Sequence, residues 1–131
     1  NTINQSDPIQ GEKENTDRVL NLEAFTKFSG NDREALIRIL TSLADNLQST
    51  MESMQMAFES SDYQKLALLS HRMLPNIRNL GAIEEASLLQ KLEALRTSET
   101  FDHKTIGSLL QTLKKGITQL ESALRNEIGN Y

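Results

Sequence analysis

The sequence contains two histidines, His71 and His103, and no cysteine. Disulfides and thiolate metal sites are therefore excluded, and histidine is the side chain best suited to nucleophilic chemistry near neutral pH. Neither histidine has Asp or Glu at metal-ligand spacing, so we predict no metal site. Polar residues flank His103, for which we predict a structural or neutral role. His71 lies in the apolar stretch ALLSHRMLP and is the candidate reactive residue.

The predicted helix around His71 has an unusual outer face. Its core stripe centres near Met73 and Ile77, which places His71 almost opposite, towards solvent or the edge of a bundle. An ordinary solvated face would carry Glu, Lys and Gln. Here the positions around His71 are small or apolar, with one arginine two turns along: Ala67, Leu74, Pro75 and Arg78, with Leu68 at the margin.

Pro75 is the second unusual feature of this helix. A proline four residues after His71 removes the hydrogen bond that the carbonyl of His71 would accept. The cost in an exposed helix interior is about 3 kcal/mol relative to alanine. We expect a kink that tilts the helix or opens the surface beside the imidazole.

Amphipathic segments joined by short polar breaks predict the fold that positions His71. They indicate an all-α, up-down antiparallel four-helix bundle with a short additional N-terminal helix. The low aromatic content of 5%, with six Gly and two Pro, favours helices over sheet. Asn31, Ser61 (with Gln64) and Asp102 are the predicted N-caps. The predicted segments are 21–30, 31–59, 62–80, 83–96 and 102–124.

Charge and hydropathy limit the classes of partner. Residues 1–18 are polar and lack a hydrophobic period, so we predict a flexible linker or tail before a bundle over 19–128. The net charge of -4 argues against nucleic acid as a partner. No apolar run reaches the about 18 residues of a membrane span, so we expect no membrane insertion by this chain.

The stretch LSHRMLPNIRNLGAIEEASLLQKLE, residues 69–93, resembles the signature of histidine phosphotransfer (HPt) domains of bacterial two-component phosphorelays. In that family, an exposed histidine on a bundle helix is followed by an Asn-Leu-Gly-Ala-like helix end and by a helix that ends in Leu-Glu. Asn79–Ala82 and Leu92-Glu93 match these features. The preceding segment FESSDYQKLALLSH is also similar to the family, and the likeness extends over about residues 20–126.

The resemblance implies that His71 accepts a phosphoryl group from an aspartate of a receiver domain and passes it to another receiver. It implies no cofactor in this domain, because the receiver would carry Mg²⁺. Two positions depart from the family: Leu74 replaces a lysine that helps to hold the phosphoryl group, and Pro75 replaces a small glycine. Arg78 could supply the missing positive charge. The predicted docking residues are Ala67, Leu68, Arg72, Leu74 and Pro75, with Lys65 adding charge complementarity.

Three classes of function remain open at this point. The first is the phosphotransfer relay, a cytoplasmic module whose parent protein, such as a hybrid sensor histidine kinase, can be anchored in the inner membrane. The second is a non-catalytic adaptor that binds a receiver or kinase without being phosphorylated. The third is a structural module whose apolar face around His71 is buried against a second copy. For the relay we expect a monomer, and an autonomous enzyme is disfavoured because no nucleophile-base set is visible.

Overall fold

A computed structural model describes residues 18–131, which form helices and no strand. The predicted all-α four-helix bundle with a short N-terminal helix is confirmed. The predicted linker over 1–18 lies, except for Arg18, outside the described residues. The elements are α1 (Glu23–Phe28), α2 (Arg33–Glu59), α3 (Tyr63–Asn79), α4 (Ile83–Glu93), a 3₁₀ turn (Ala94–Thr97) and α5 (His103–Gly129).

The four longer helices pack in a closed ring. Helix α3 contacts α2 and α4, and α5 contacts the same two helices, while α1 lies against α2 and α3. Short connections make consecutive helices antiparallel. No helix in the described part of the chain is both long and apolar enough to cross a membrane. The core is built largely from aliphatic side chains, of which the largest fully buried ones are Leu40, Leu47, Met54, Leu66, Ile77, Leu80, Leu89, Leu92, Leu110, Leu113, Ile117 and Leu120.

The N-cap residues of α2 and α3 each lie one residue later in the sequence than predicted. Asp32 caps α2, because its carboxylate accepts two backbone N–H groups of the first turn at 2.9 and 3.2 Å. Asp62 caps α3 in the same way at 3.1 Å. Asn31 and Ser61, the predicted caps, have positive φ values of 65° and 57°. They serve the preceding turns instead, since an N-cap residue needs an extended backbone.

Two other details of the elements depart from the predicted pattern. The fourth helix keeps α geometry only to Glu93 and then tightens into the 3₁₀ turn, whereas a single helix to residue 96 was expected. In α5, Leu109 is only half-buried and the adjacent Leu110 is fully buried. Helix α5 is wedged between α2 and α4, so its buried sector is wider than one stripe. Helix α3 continues through Pro75 for another turn.

Candidate functional site

His71 lies on α3 at the edge of the groove between α3 and α4. Its side chain is 55% exposed, and its Nδ1 is hydrogen-bonded to Oε2 of Glu93, the last residue of α4. The Glu93 side chain is 25% exposed, so the carboxylate is held partly in the groove. The site is thus a reachable imidazole with one of its two ring nitrogens already occupied.

The tight corner between α3 and α4 sets the register of this pair. Gly81 has a φ of 77°, a left-handed conformation that glycine adopts without steric cost, and it turns the chain immediately after α3. Antiparallel helices then bring together residues that lie equally far from the corner. His71 and Glu93 are each eleven residues from Ala82.

The contact with Glu93 determines which ring nitrogen is free. An ionised carboxylate can only accept hydrogen bonds, so Nδ1–H of His71 is the donor. In the neutral imidazole the other nitrogen, Nε2, then carries the lone pair. The carboxylate also restrains rotation of the ring, as the partners of functional histidines commonly do. The geometry therefore provides an oriented nucleophile at Nε2.

Two residues expected on the exposed face of His71 are buried instead. Ala67 is 0% exposed and Leu74 is 4% exposed, so the predicted exposure of these two side chains is wrong. At 100° per residue, Ala67 and Leu74 stand about 40° and 60° to one side of His71. Helix α4 packs against that side. The single-stripe prediction treated α3 as facing one neighbour, whereas it faces two.

The other side of His71 remains open to solvent. The side chains there are Leu68, which is 39% exposed, together with Arg72 and Pro75. They stand about 40° to 100° round the helix from His71, away from α4. Within residues 18–131, Arg72 forms no ion pair with a carboxylate. This smaller surface of Leu68, Arg72 and Pro75, hereafter the open face, carries one positive charge beside the imidazole.

Arg78 is exposed but lies farther along the groove. It lines a shallow depression with residues at the start of α4, including Ile83 and Ser87. Seven residues of helix separate its Cα from that of His71, which is about 10 Å along the axis. Its guanidinium must therefore reach back towards the helix N-terminus to approach a group on His71, which is the direction in which helical side chains lean.

A second hydrogen bond joins α3 to the 3₁₀ turn that follows Glu93. Gln64, two turns before His71, donates its side-chain N–H to the carbonyl of Arg96 at 3.3 Å. The sequence pattern predicts neither this contact nor the one to Glu93. The available signal for Glu93 was the Leu-Glu pair at the end of a helix whose length matches the distance from His71 to the corner.

His103 lies at the end of the bundle opposite the corner between α3 and α4, where it packs in an aromatic cluster. Its ring stacks on Phe58 with a centroid distance of 4.1 Å, and its Nδ1 is hydrogen-bonded to the hydroxyl of Tyr63 at 2.6 Å. Tyr63 in turn stacks on Phe101 at 4.6 Å. His103 thus joins the start of α5 to the end of α2 and the start of α3. Within residues 18–131, no three His, Cys, Asp or Glu side chains are grouped to hold a metal ion.

Comparison of the chain with protein-family models, with curated proteins and with solved structures found no match.

Proposed function

We propose that this domain is a histidine phosphotransfer module that carries a phosphoryl group on Nε2 of His71. The observation that carries the proposal is the exposed imidazole whose Nδ1 is bound by Glu93. Such a partner favours a phosphoryl acceptor, because it helps the ring to present a lone pair in a fixed direction.

The proposed step is an in-line exchange between two residues. The Nε2 lone pair of His71 attacks the phosphorus of an aspartyl phosphate on the receiver, and the P–O bond to the aspartate breaks with its electron pair leaving on the carboxylate. The phosphorylated ring retains its proton on Nδ1 and becomes cationic. The Glu93 carboxylate stabilises this positive charge through the same hydrogen bond. The reverse step passes the group to another receiver.

This chemistry requires few residues from the domain. Phosphoryl transfer depends mainly on positioning and on neutralising charge on the transferred group. The receiver would bring the aspartate, the Mg²⁺ and most of the phosphate ligands. On this proposal the module works in the cytoplasm as part of a larger signalling protein.

The open face is the proposed docking surface for the receiver. Leu68 and Pro75 offer apolar contact on the side of His71 that α4 leaves uncovered, and Arg72 offers a positive charge to an acidic partner. Arg78, at the other end of the groove, would support the phosphoryl group from a distance. Ala67 and Leu74 contribute by supporting α3 from beneath, since both are buried.

A non-catalytic adaptor is the second candidate, and one observation favours it. Leu74 occupies the position of the family's phosphate-binding lysine and is 4% exposed in the groove. The nearest exposed cation on the same face is then Arg72 or Arg78. If neither reaches the phosphoryl group, the domain would bind a receiver without accepting its phosphate.

Labelling of the histidine separates the two candidates. The domain is incubated with phosphorylated candidate receivers and Mg²⁺, beside His71→Gln and the matched control His103→Gln. We expect acid-labile, alkali-stable label on the native chain and on the control, and none on His71→Gln. Binding of a receiver without label on any of the three would favour the adaptor and refute the relay.

A pair of charge substitutions tests the docking surface. Leu68→Glu places a negative charge on the open face and should slow transfer strongly without affecting folding. Met56→Glu is the matched control, because Met56 is 67% exposed on α2. Equal transfer rates for the two variants would place docking elsewhere. Leu74→Glu is unsuitable for this test, since a charge at a buried position would destabilise the bundle.

A further inference from the structure

A short N-terminal segment, residues 18–22, crosses the corner between α3 and α4. The backbone N–H of Asn21 donates to the carbonyl of Leu80 at 3.0 Å, and the Asn21 Cβ lies close to Gly81. Leu20 and Leu22 are half-buried and pack against the core. This N-terminal strap is therefore fixed to the corner that sets the register of His71 and Glu93.

The strap begins with a partly buried ion pair. The two terminal guanidinium nitrogens of Arg18 contact the carboxylate of Glu85 in the first turn of α4, one of them at 3.1 Å to Oε2. Arg18 also donates to Oε1 of Gln119 at 3.3 Å and approaches the carbonyl of Gly116 at 3.5 Å, both on α5. Glu85 is 5% exposed, and it is the one carboxylate buried within residues 18–131.

Helix α5 is shaped to receive this carboxylate. A Cβ atom on Gly116 would lie 2.0 Å from Oε2 of Glu85, which is far inside contact distance. The absence of a side chain at 116 is thus what lets Glu85 lie between α4 and α5. The strap, α4 and α5 meet at Glu85, and Arg18 supplies the positive charge that pairs with the Glu85 carboxylate.

Helix α4 lacks a side-chain cap at its start. It is the shortest of the four bundle helices, with 11 residues, and its N-cap residue Ala82 offers no side-chain hydrogen bond. The same helix carries Glu85 in its first turn and Glu93 at its end. A displacement of α4 at Glu85 therefore also affects the position of Glu93, which lies about two turns further along the same helix.

We propose that Arg18 is a positioning residue for His71, and that the N-terminal strap is a latch through which the preceding chain regulates the site. With Arg18 in place, α4 is held against α5 and Glu93 orients the imidazole. When Arg18 is drawn away through the residues that precede it, the Glu85 carboxylate is left buried without its cation. It must then admit water or swing outward, and α4 loosens. The effect on phosphotransfer rests on the proposed function; the effect on α4 does not.

The test uses the full chain with Arg18→Gln. We expect amide hydrogens of α4 to exchange about a hundredfold faster than in the native chain, because a removed partner leaves a buried charge. The ¹⁵N shifts of the His71 ring should move from the Nδ1–H form towards a mixture of tautomers. Arg18→Lys should recover part of both effects, and Arg18→Gln with Glu85→Gln most of them, since no buried charge then remains.

The matched control is Arg125→Gln, which removes a different inter-helix arginine, bonded to Asp45 on α2. If Arg18→Gln and Arg125→Gln leave α4 exchange and the His71 ring equally unchanged, the latch is refuted. If Arg18→Gln changes both but neither it nor the native chain takes label from any receiver, the latch stands and the phosphotransfer proposal fails. If the native chain is labelled and Arg18→Gln is labelled at the same rate despite a loosened α4, the regulatory role is refuted.

Discussion

Gly116 offers the sharpest test of how α4 and α5 fit together. Alanine at this position would place a Cβ 2.0 Å from Oε2, and 2.7 Å from Cγ and Cδ, of Glu85. The obstruction thus involves most of the side chain, so a rotation of the carboxylate alone cannot relieve it. Gly116→Ala should displace Glu85 from the position in which it binds Arg18.

The expected magnitude combines two opposing effects. Displacing a buried carboxylate from its cation costs about 3 kcal/mol, the lower end of the range for buried pairs, because the Arg18 side chain is 22% exposed. Replacing glycine by alanine in a helix interior stabilises by about 1 kcal/mol. The net loss in the free energy of unfolding is then about 2 kcal/mol. For a domain of this size that corresponds to a fall in Tm of about 8 °C.

The sign of the effect should reverse when Glu85 is truncated. In a Glu85→Ala background the three atoms nearest to the Cβ at 116 are removed, so the helix propensity dominates and Gly116→Ala should stabilise by about 1 kcal/mol. Urea unfolding of the four proteins, followed by circular dichroism at 222 nm, measures this double-mutant cycle. Destabilisation of similar size in both backgrounds would refute the reasoning, because the conflict would then lie with the backbone and not with Glu85.

Three further predictions concern other parts of the bundle. Leu74→Ala should lower the free energy of unfolding by about 3 kcal/mol because Leu74 is buried, whereas Leu68→Ala should lower it by less than about 1 kcal/mol, as measured by denaturant unfolding. Arg125, which hydrogen-bonds Asp45 and Glu121, is exposed, so Arg125→Gln should cost less than about 1 kcal/mol, and the loss should shrink in 1 M salt. The hydroxyl of Thr105 donates to Asp102 at 2.6 Å and lowers the pKa of that carboxyl. A carboxyl group whose pKa is lower in the folded than in the unfolded chain stabilises the folded state at pH values above its unfolded-state pKa, which is about 3.9 for Asp. The stability difference between the native chain and Thr105→Val should therefore be full near pH 7 and disappear as the pH falls through the folded-state pKa of Asp102.

The fold could be predicted because its signal is periodic and local. The apolar positions from Leu36 to Met54 recur at helical spacing, and most of them are buried in α2. The caps were misplaced by one residue because Asp32 follows Asn31, and Asp62 follows Ser61. Adjacent residues that can all cap a helix are separated by backbone conformation alone, and the sequence does not encode that conformation strongly.

The position of His71 at the bundle edge was accessible from periodicity, but its surroundings were not. A hydrophobic stripe locates the centre of the buried sector and leaves its width undetermined. Ala67 and Leu74 fall in the additional sector that α4 covers, so their burial depends on the packing of the ring. The same holds for Glu93 and for Arg18, whose partners lie 22 and 67 residues away in the chain.

The two ion pairs made by side chains of α4 suggest why so short a helix carries the partner of His71. A helix of 11 residues is not stable by its own propensity, so its position depends on the core packing of Leu89 and Leu92 and on the contacts at its two ends. At the start of α4, Glu85 forms an ion pair with Arg18, and at the end of α4, Glu93 is hydrogen-bonded to His71. The contact at the start of α4 is ionic and depends on Arg18, a residue outside the four bundle helices. The hydrogen bond that orients the imidazole is thereby coupled to the one segment of the described chain that continues into residues before the bundle.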